Sequence, residues 1–216
     1  MQYTDKKVMI IIIAEKNDED NIEVSVNNLK QNDCKEADYI VATVNSETSN
    51  IAKFCKDRNI AYHECPNIEY IYYELPKLLE FDYISFINAG DRYSDDFKRQ
   101  LQSKKENIFV CPIIYNGNCY TLNKNILKKP YVDIEKEPGK IWLHFNSVFV
   151  SKSILKKVDK PNADNLEYYI DKNLLVKLIT LNGGYEVLQN IELITTKALE
   201  NSPESKAEEY ELSWYK

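Results

Sequence analysis

The residues best suited to chemistry lie between Phe81 and Phe97, FDYISFINAGDRYSDDF, where a short apolar stretch runs into a polar turn that carries an acid. An acid at a strand end sits where open α/β sheets take ligands, in the crevice outside the carboxyl ends of parallel strands. Gly90 lets the backbone come close to whatever Asp91 holds. Asn88-Ala89-Gly90-Asp91 is equally the composition of an ordinary turn, because Asn, Gly and Asp are the usual turn formers, and both readings stand at this point. A second set of acids comes late in the chain: Asp164, Glu167 and Asp171. Glu167 and Asp171 are four apart and share one helix face, either as a proton acceptor or as a solvated surface. His63 and His144 fall in strand-like segments, as packed core residues or as ligand contacts.

The elements that must position these groups alternate. Lys7 to Ala14, KVMIIIIA, is a continuous apolar run, the mark of a strand buried on both faces. Ile22, Val26 and Leu29 recur at helical spacing, and that helix ends near Gln31-Asn32-Asp33. A second strand is expected over Asp38–Val44, and a helix capped by Ser49-Asn50 passes through Ile51, Phe54 and Cys55. A third strand covers Ile60–His63, a helix broken by Pro76 covers Tyr70–Leu79, and the fourth strand is Phe81–Ile87. The order βαβαβαβ predicts a parallel sheet with helices on both faces and right-handed crossovers.

Beyond the acidic turn the pattern changes. Asn107–Ile114 reads as a strand, Tyr115-Asn116-Gly117-Asn118 as a hairpin turn, and Cys119–Asn123 as its antiparallel partner. Residues 128–140 read as a loop, Ile141–Val150 as a strand leading to a helix at Ser151, and Leu166–Leu181 as an amphipathic helix ended by Asn182-Gly183-Gly184. Tyr185–Thr195 reads as a last strand. Residues 1–200 are expected to form one domain, and residues 201–216 a polar tail that packs on, or leads to, another element.

Composition narrows the function. The chain has 216 residues and a net charge of −6, and it lacks the basic face expected of a nucleic-acid protein. Lys152, Lys156 and Lys157 are the cluster that could meet an anionic lipid or substrate, which leaves peripheral membrane association open. Five cysteines without a CxxC pair suggest reduced thiols in a cytoplasmic protein. The apolar run Val8–Ala14 is seven residues long, too short for a signal core or a membrane span. No G-x-G-x-x-G follows the first strand, which argues against a dinucleotide-dependent dehydrogenase.

The succession VMIIIIA, SVNNLKQ, DYIVATVNSETS, FDYISFINAGDRYSDDF and WLHFNSVFVSKSIL, followed by the late helix, resembles the family 2 glycosyltransferases over nearly the whole chain. The likeness is to the bacterial cell-surface polysaccharide and teichoic-acid type. The resemblance implies a GT-A-like, Rossmann-related α/β fold with a mostly parallel central sheet flanked by helices. It also implies an inverting transfer of a sugar from a nucleotide-sugar donor, such as a UDP-sugar, to a cell-surface glycan or polymer acceptor. A homo-oligomer or an additional domain would fit such a protein.

The family's working residues map unevenly. Its Asp-x-Asp, which holds Mn²⁺ or Mg²⁺ on the donor diphosphate, falls on Asn88 and Gly90, so the resemblance leaves Asp91 as the metal ligand. The nucleobase pocket falls on Ala14, Glu15 and Asn17 after the first strand and on Thr43 and Asn45 after the second, where the family has Asp-Asp-Gly-Ser. The base would be Asp171, Glu167 or Asp164, since the family's Glu-Asp pair falls on Lys172-Asn173. His144, on the acceptor-side segment, would contact a phosphate or the acceptor, and Trp142 and Tyr93 would be sugar platforms if exposed. The alternative reading is a GT-A-like domain without turnover that binds a glycan, a nucleotide or a protein.

Overall fold

The computed structural model describes residues 6–44, 49–94, 97–115, 118–120, 131–133, 145–158, 170–188 and 191–195. Its first half alternates as expected: β1 (Val8–Ile13), α1 (Glu19–Gln31), β2 (Tyr39–Val44), α2 (Ser49–Asp57), β3 (Tyr62–Cys65), α3 (Ile68–Tyr73) and β4 (Tyr83–Asn88). These four strands run parallel in the order β3-β2-β1-β4. The second half holds β5 (Arg92–Tyr93), α4 (Phe97–Gln102), β6 (Ile108–Val110), β7 (Ile113–Tyr115), β8 (Asn118–Tyr120), β9 (Tyr131–Asp133), β10 (Val148–Ser151), α5 (Lys152–Leu155), α6 (Ile170–Asn182), β11 (Gly184–Val187) and β12 (Leu193–Thr195). The large sheet continues from β4 through β10, β6, β11 and β9, and a smaller sheet runs β5-β12-β7-β8. The result is an α/β fold, a largely parallel central sheet between helices.

The apolar run of β1 has a direct physical reason. Ile10 and Ile12 face one core cluster, packed with Ile22, Val26 and Leu29 of α1 and with Ile51 and Cys55 of α2. Met9 and Ile11 face the opposite cluster, where Ile71 and Tyr72 of α3 and Leu174 and Leu178 of α6 cover the sheet. A strand with helices on both sides has no solvent face and so no polar alternation.

Several boundaries differ from the sequence reading. The single strand expected over Asn107–Ile114 is two, β6 in the large sheet and β7 in the small one, separated by Cys111-Pro112. Proline has no N–H for a ladder, and the chain changes sheet there. The strand expected over Tyr185–Thr195 divides in the same way into β11 and β12. Phe145–Ser147, expected within a strand, forms a 3-10 turn before β10. The hairpin is present, with Ile113 opposite Tyr120 and Tyr115 opposite Asn118. Residues 201–216 lie outside the described residues.

Candidate functional site

Strand register brings Ala14 and Asn88, two of the sequence-predicted residues, to one edge. Ile13, the last residue of β1, stands beside Ala42 of β2 and Asn88 of β4. The next N–H groups continue the pairing: that of Ala14 donates to the Ala42 carbonyl at 3.0 Å, and that of Ala89 to the Ile13 carbonyl at 2.9 Å. From β1 the chain winds outward through β2 to β3, then returns to place β4 on the other side of β1. The strand order reverses between β1 and β4, and such a switch point opens a crevice at the carboxyl edge. The loop from Ala14 to Asp18 and the turn from Asn88 to Asp91 flank it.

The first loop is closed by its own acid. Asp18, buried ahead of α1, accepts the Glu15 N–H at 2.9 Å and the Asn21 side-chain amide at 2.8 Å. Glu15 and Asn17 are exposed, Ala14 is buried, and Asn17 takes a left-handed φ of 68°, which asparagine tolerates better than most residues. Thr43 is fully buried and its hydroxyl meets the Tyr62 hydroxyl at 2.8 Å.

The second loop is held more elaborately. Asp91 is 1% exposed. Its Oδ2 accepts the Asn88 N–H at 2.9 Å and the Asn146 side-chain amide at 3.3 Å. Gly90 has φ 97°, a region that favours glycine, and so permits the tight return. Ser25 of α1 reaches in from below: its Oγ accepts the Gly90 N–H at 2.9 Å and donates to the Asp91 carbonyl at 2.8 Å. One helical turn further on, Asn28 donates to the Tyr93 carbonyl at 2.9 Å and accepts the Tyr93 N–H at 2.8 Å, satisfying that residue as a neighbouring strand would.

Ser25 and Asn28 are the residues that sequence reasoning missed. The available signal was position: Ser25 lies between Ile22 and Leu29 on the apolar stripe, where a hydroxyl must find a partner. Asn146, two residues after His144, was missed as well.

Tyr93 is core and not a sugar platform. Its ring packs on Phe97 at 4.6 Å and Phe149 at 5.1 Å between centroids, and its hydroxyl meets Ser85 Oγ at 2.7 Å. Burial pushes its phenol well above the usual range, with Cys111 adding to the shift. His63 is partly buried and stacks nearly parallel on Tyr70, 5.8 Å between centroids. Lys152 is engaged within the fold, donating to the Leu79 carbonyl at 3.1 Å and pairing with Glu80 at 3.2 Å, while Lys156 and Lys157 are exposed. Asp171 is the second residue of α6. Asn45, Trp142, His144, Asp164 and Glu167 lie outside the described residues.

A divalent cation on a sugar-nucleotide diphosphate needs hard oxygen ligands that are open to the cleft. Asn88 offers a neutral carboxamide, Gly90 has no side chain, and Asp91 is buried with its Oδ2 bonded inward. Among the described residues no three His, Cys, Asp or Glu side chains gather as an all-protein metal cage. The donors present at this turn do not fit Mn²⁺ or Mg²⁺.

No protein-family model and no curated protein sequence matches the chain. Solved structures do. S. aureus TarS 1-349 in complex with UDP-GlcNAc is 15% identical, with a TM-score of 0.67 over 92% of this chain and 61% of that one. The same protein in complex with UDP is 14% identical, with a TM-score of 0.64 over 91% and 61%. A mannosyltransferase, PcManGT from Pyrobaculum calidifontis in complex with GDP-Man and Mn²⁺, is 10% identical, with a TM-score of 0.61 over 92% and 59%. The chain thus spans about three fifths of the length of each. At such identities the likeness is one of fold, and the fold is that of GT-A glycosyltransferases.

Proposed function

We propose that the chain is the nucleotide-sugar-binding domain of a glycosyltransferase of the family 2 kind, moving a sugar from a nucleotide-sugar donor to a glycan or polymer acceptor. The observation that carries this reading is the convergence of the β1, β2 and β4 ends on one edge at the switch point, in a fold whose similar structures hold UDP, UDP-GlcNAc and GDP-Man. Glu15, Asn17 and Asn45 would border the nucleobase and ribose, Asn88 and Gly90 the diphosphate, and His144 the acceptor side; Thr43, fully buried, would not touch the donor. In an inverting transfer the acceptor hydroxyl attacks the anomeric carbon from the face opposite the leaving diphosphate, and a carboxylate takes its proton. Asp171, at the start of α6, is our first choice for that base, ahead of Glu167 and Asp164. An acceptor at a cell surface and a cytoplasmic location for the domain belong to the same reading. Among the described residues no helix is long and apolar enough to cross a membrane.

The test is calorimetric titration with UDP and GDP, followed by donor hydrolysis assays with UDP-GlcNAc and GDP-mannose. Saturable binding is expected, and Asp171→Asn is expected to lower turnover by roughly 10²–10⁴-fold with nucleotide affinity kept. Absence of binding by a folded protein would overturn the reading. A second reading, a binding module without turnover, is favoured by one observation: the diphosphate turn carries Asn88 and Gly90 where the resembled family has acids. Binding without hydrolysis or transfer would establish it.

A further inference from the structure

We infer that the Asp91 carboxylate is a structural staple of the β4–β5 turn rather than a metal ligand, so that a donor diphosphate at this edge is recognised without a divalent cation held on that turn. The second half of this inference rests on the nucleotide-sugar reading, and the first stands on geometry alone.

Three acids of the chain share one geometry. Asp18 accepts the N–H of Glu15, Asp38 that of Lys35, and Asp91 that of Asn88, each three residues back and each at 2.9 Å. All three are buried. Asp38 precedes β2, at the sheet edge opposite the crevice, so the arrangement there serves no ligand at the switch point. It is this chain's way of closing a turn: a carboxylate takes up a backbone N–H that the bend has removed from any ladder.

At Asp91 the closure is reinforced at Oδ2 and along the backbone. Asn146, from the 3-10 turn ahead of β10, donates to the same Oδ2, and Ser25 clasps the backbone on either side of the Gly90–Asp91 peptide bond. Turning Oδ2 out to a cation would abandon the Asn88 N–H and the Asn146 amide together. Each is a donor that would be left without its acceptor inside the fold. The two positions that precede it in the turn add no charge to repay that loss.

The experiment measures UDP and GDP affinity calorimetrically in EDTA and in Mn²⁺, for the wild type and for Asp91→Asn, which keeps a side-chain oxygen to accept the Asn88 N–H. Thermal melting of both and of Asp91→Ala, and Mn²⁺ titration of the nucleotide-free proteins by electron paramagnetic resonance, complete it. We expect the affinity ratio between Mn²⁺ and EDTA to stay within about twofold in both proteins, whatever affinity Asp91→Asn retains. Asp91→Asn is expected to melt well above Asp91→Ala, and nucleotide-free wild type to take up no more Mn²⁺ than Asp91→Asn.

A Mn²⁺ enhancement of about tenfold or more in wild type that disappears in Asp91→Asn would overturn the inference. So would Mn²⁺ uptake by the nucleotide-free wild type that the variant lacks. An enhancement that survives in Asp91→Asn would place the cation elsewhere and support the staple. If neither nucleotide binds, the functional reading fails by itself, and the melting and Mn²⁺ arms still decide the role of Asp91.

Discussion

Replacing Ser25 with alanine removes a single oxygen, yet it strikes both sides of the acidic turn. Ser25 is fully buried, and its Oγ serves the Gly90 N–H at 2.9 Å and the Asp91 carbonyl at 2.8 Å. Both partners are buried and would lose this bond. Leaving a buried backbone group unsatisfied costs about 1–3 kcal/mol, so two orphans cost roughly 2–6 kcal/mol. Alanine recovers about 0.5 kcal/mol through its better helix propensity. The net expectation is a loss of roughly 2–5 kcal/mol. At about 2–4 °C per kcal/mol for a chain of this size, the melting point should fall by roughly 4–20 °C. Urea unfolding followed by circular dichroism, with calorimetry as a check, gives both quantities. Nucleotide affinity should fall as well, because Gly90 and Asp91 would no longer hold one geometry. Ser25→Ala within about 0.5 kcal/mol of wild type would refute the claim that α1 fixes the turn.

Two further outcomes follow from buried polar groups. Tyr93→Phe strands the Ser85 hydroxyl and should cost roughly 1–2 kcal/mol, whereas adding Ser85→Ala removes the orphan and should recover part of that loss in a double-mutant cycle; strictly additive costs would contradict the pairing. Burial pushes the Cys34 thiol from its ordinary value of 9.0 up to about 12, and those of Cys55 and Cys65 up to about 11. The folded state then holds protons that the unfolded chain gives up. The corresponding stability is fully present below pH 9 and is lost as the pH rises towards 11 and 12. Melting points measured from pH 8 to 11 should decline from about 9 upward, and these thiols should resist a disulfide reagent at pH 8 until urea is added; prompt native reactivity would contradict their burial.

The sheet of the first half was legible because its physics is local. A strand covered on both faces must be apolar throughout, and Val8–Ile13 is; a helix covered on one face must repeat its apolar residues, and Ile22, Val26 and Leu29 do. The break at Cys111-Pro112 was not legible as a change of sheet. The residues on either side are equally apolar, and what separates them is the partner each strand finds far away in sequence. At the site, the position of Asp91 could be read and its direction could not. Whether a carboxylate faces a cleft or its own backbone depends on Asn146, 55 residues later, and on what Ser25 does to the adjoining peptide.

The two crossings between sheets run side by side. β6 is parallel to β11 in the large sheet, and their continuations β7 and β12 are parallel in the small one. Between them the Leu188 N–H donates to the Val110 carbonyl and the Leu193 N–H to the Pro112 carbonyl, both at 2.8 Å. β12 then pairs on its other side with β5, which begins at the residue after Asp91. The small sheet is therefore yoked to the large one by a double cable whose far end is tied to the Asn88–Asp91 turn. Such a linkage restricts how the domain can diversify. A residue inserted between β11 and β12 would pull on Arg92 and Tyr93, so its effect would be felt at Gly90, on the opposite side of the joint. Variation that leaves this edge undisturbed has its freest ground at the β7–β8 end of the small sheet, where no further strand among the described residues transmits the load.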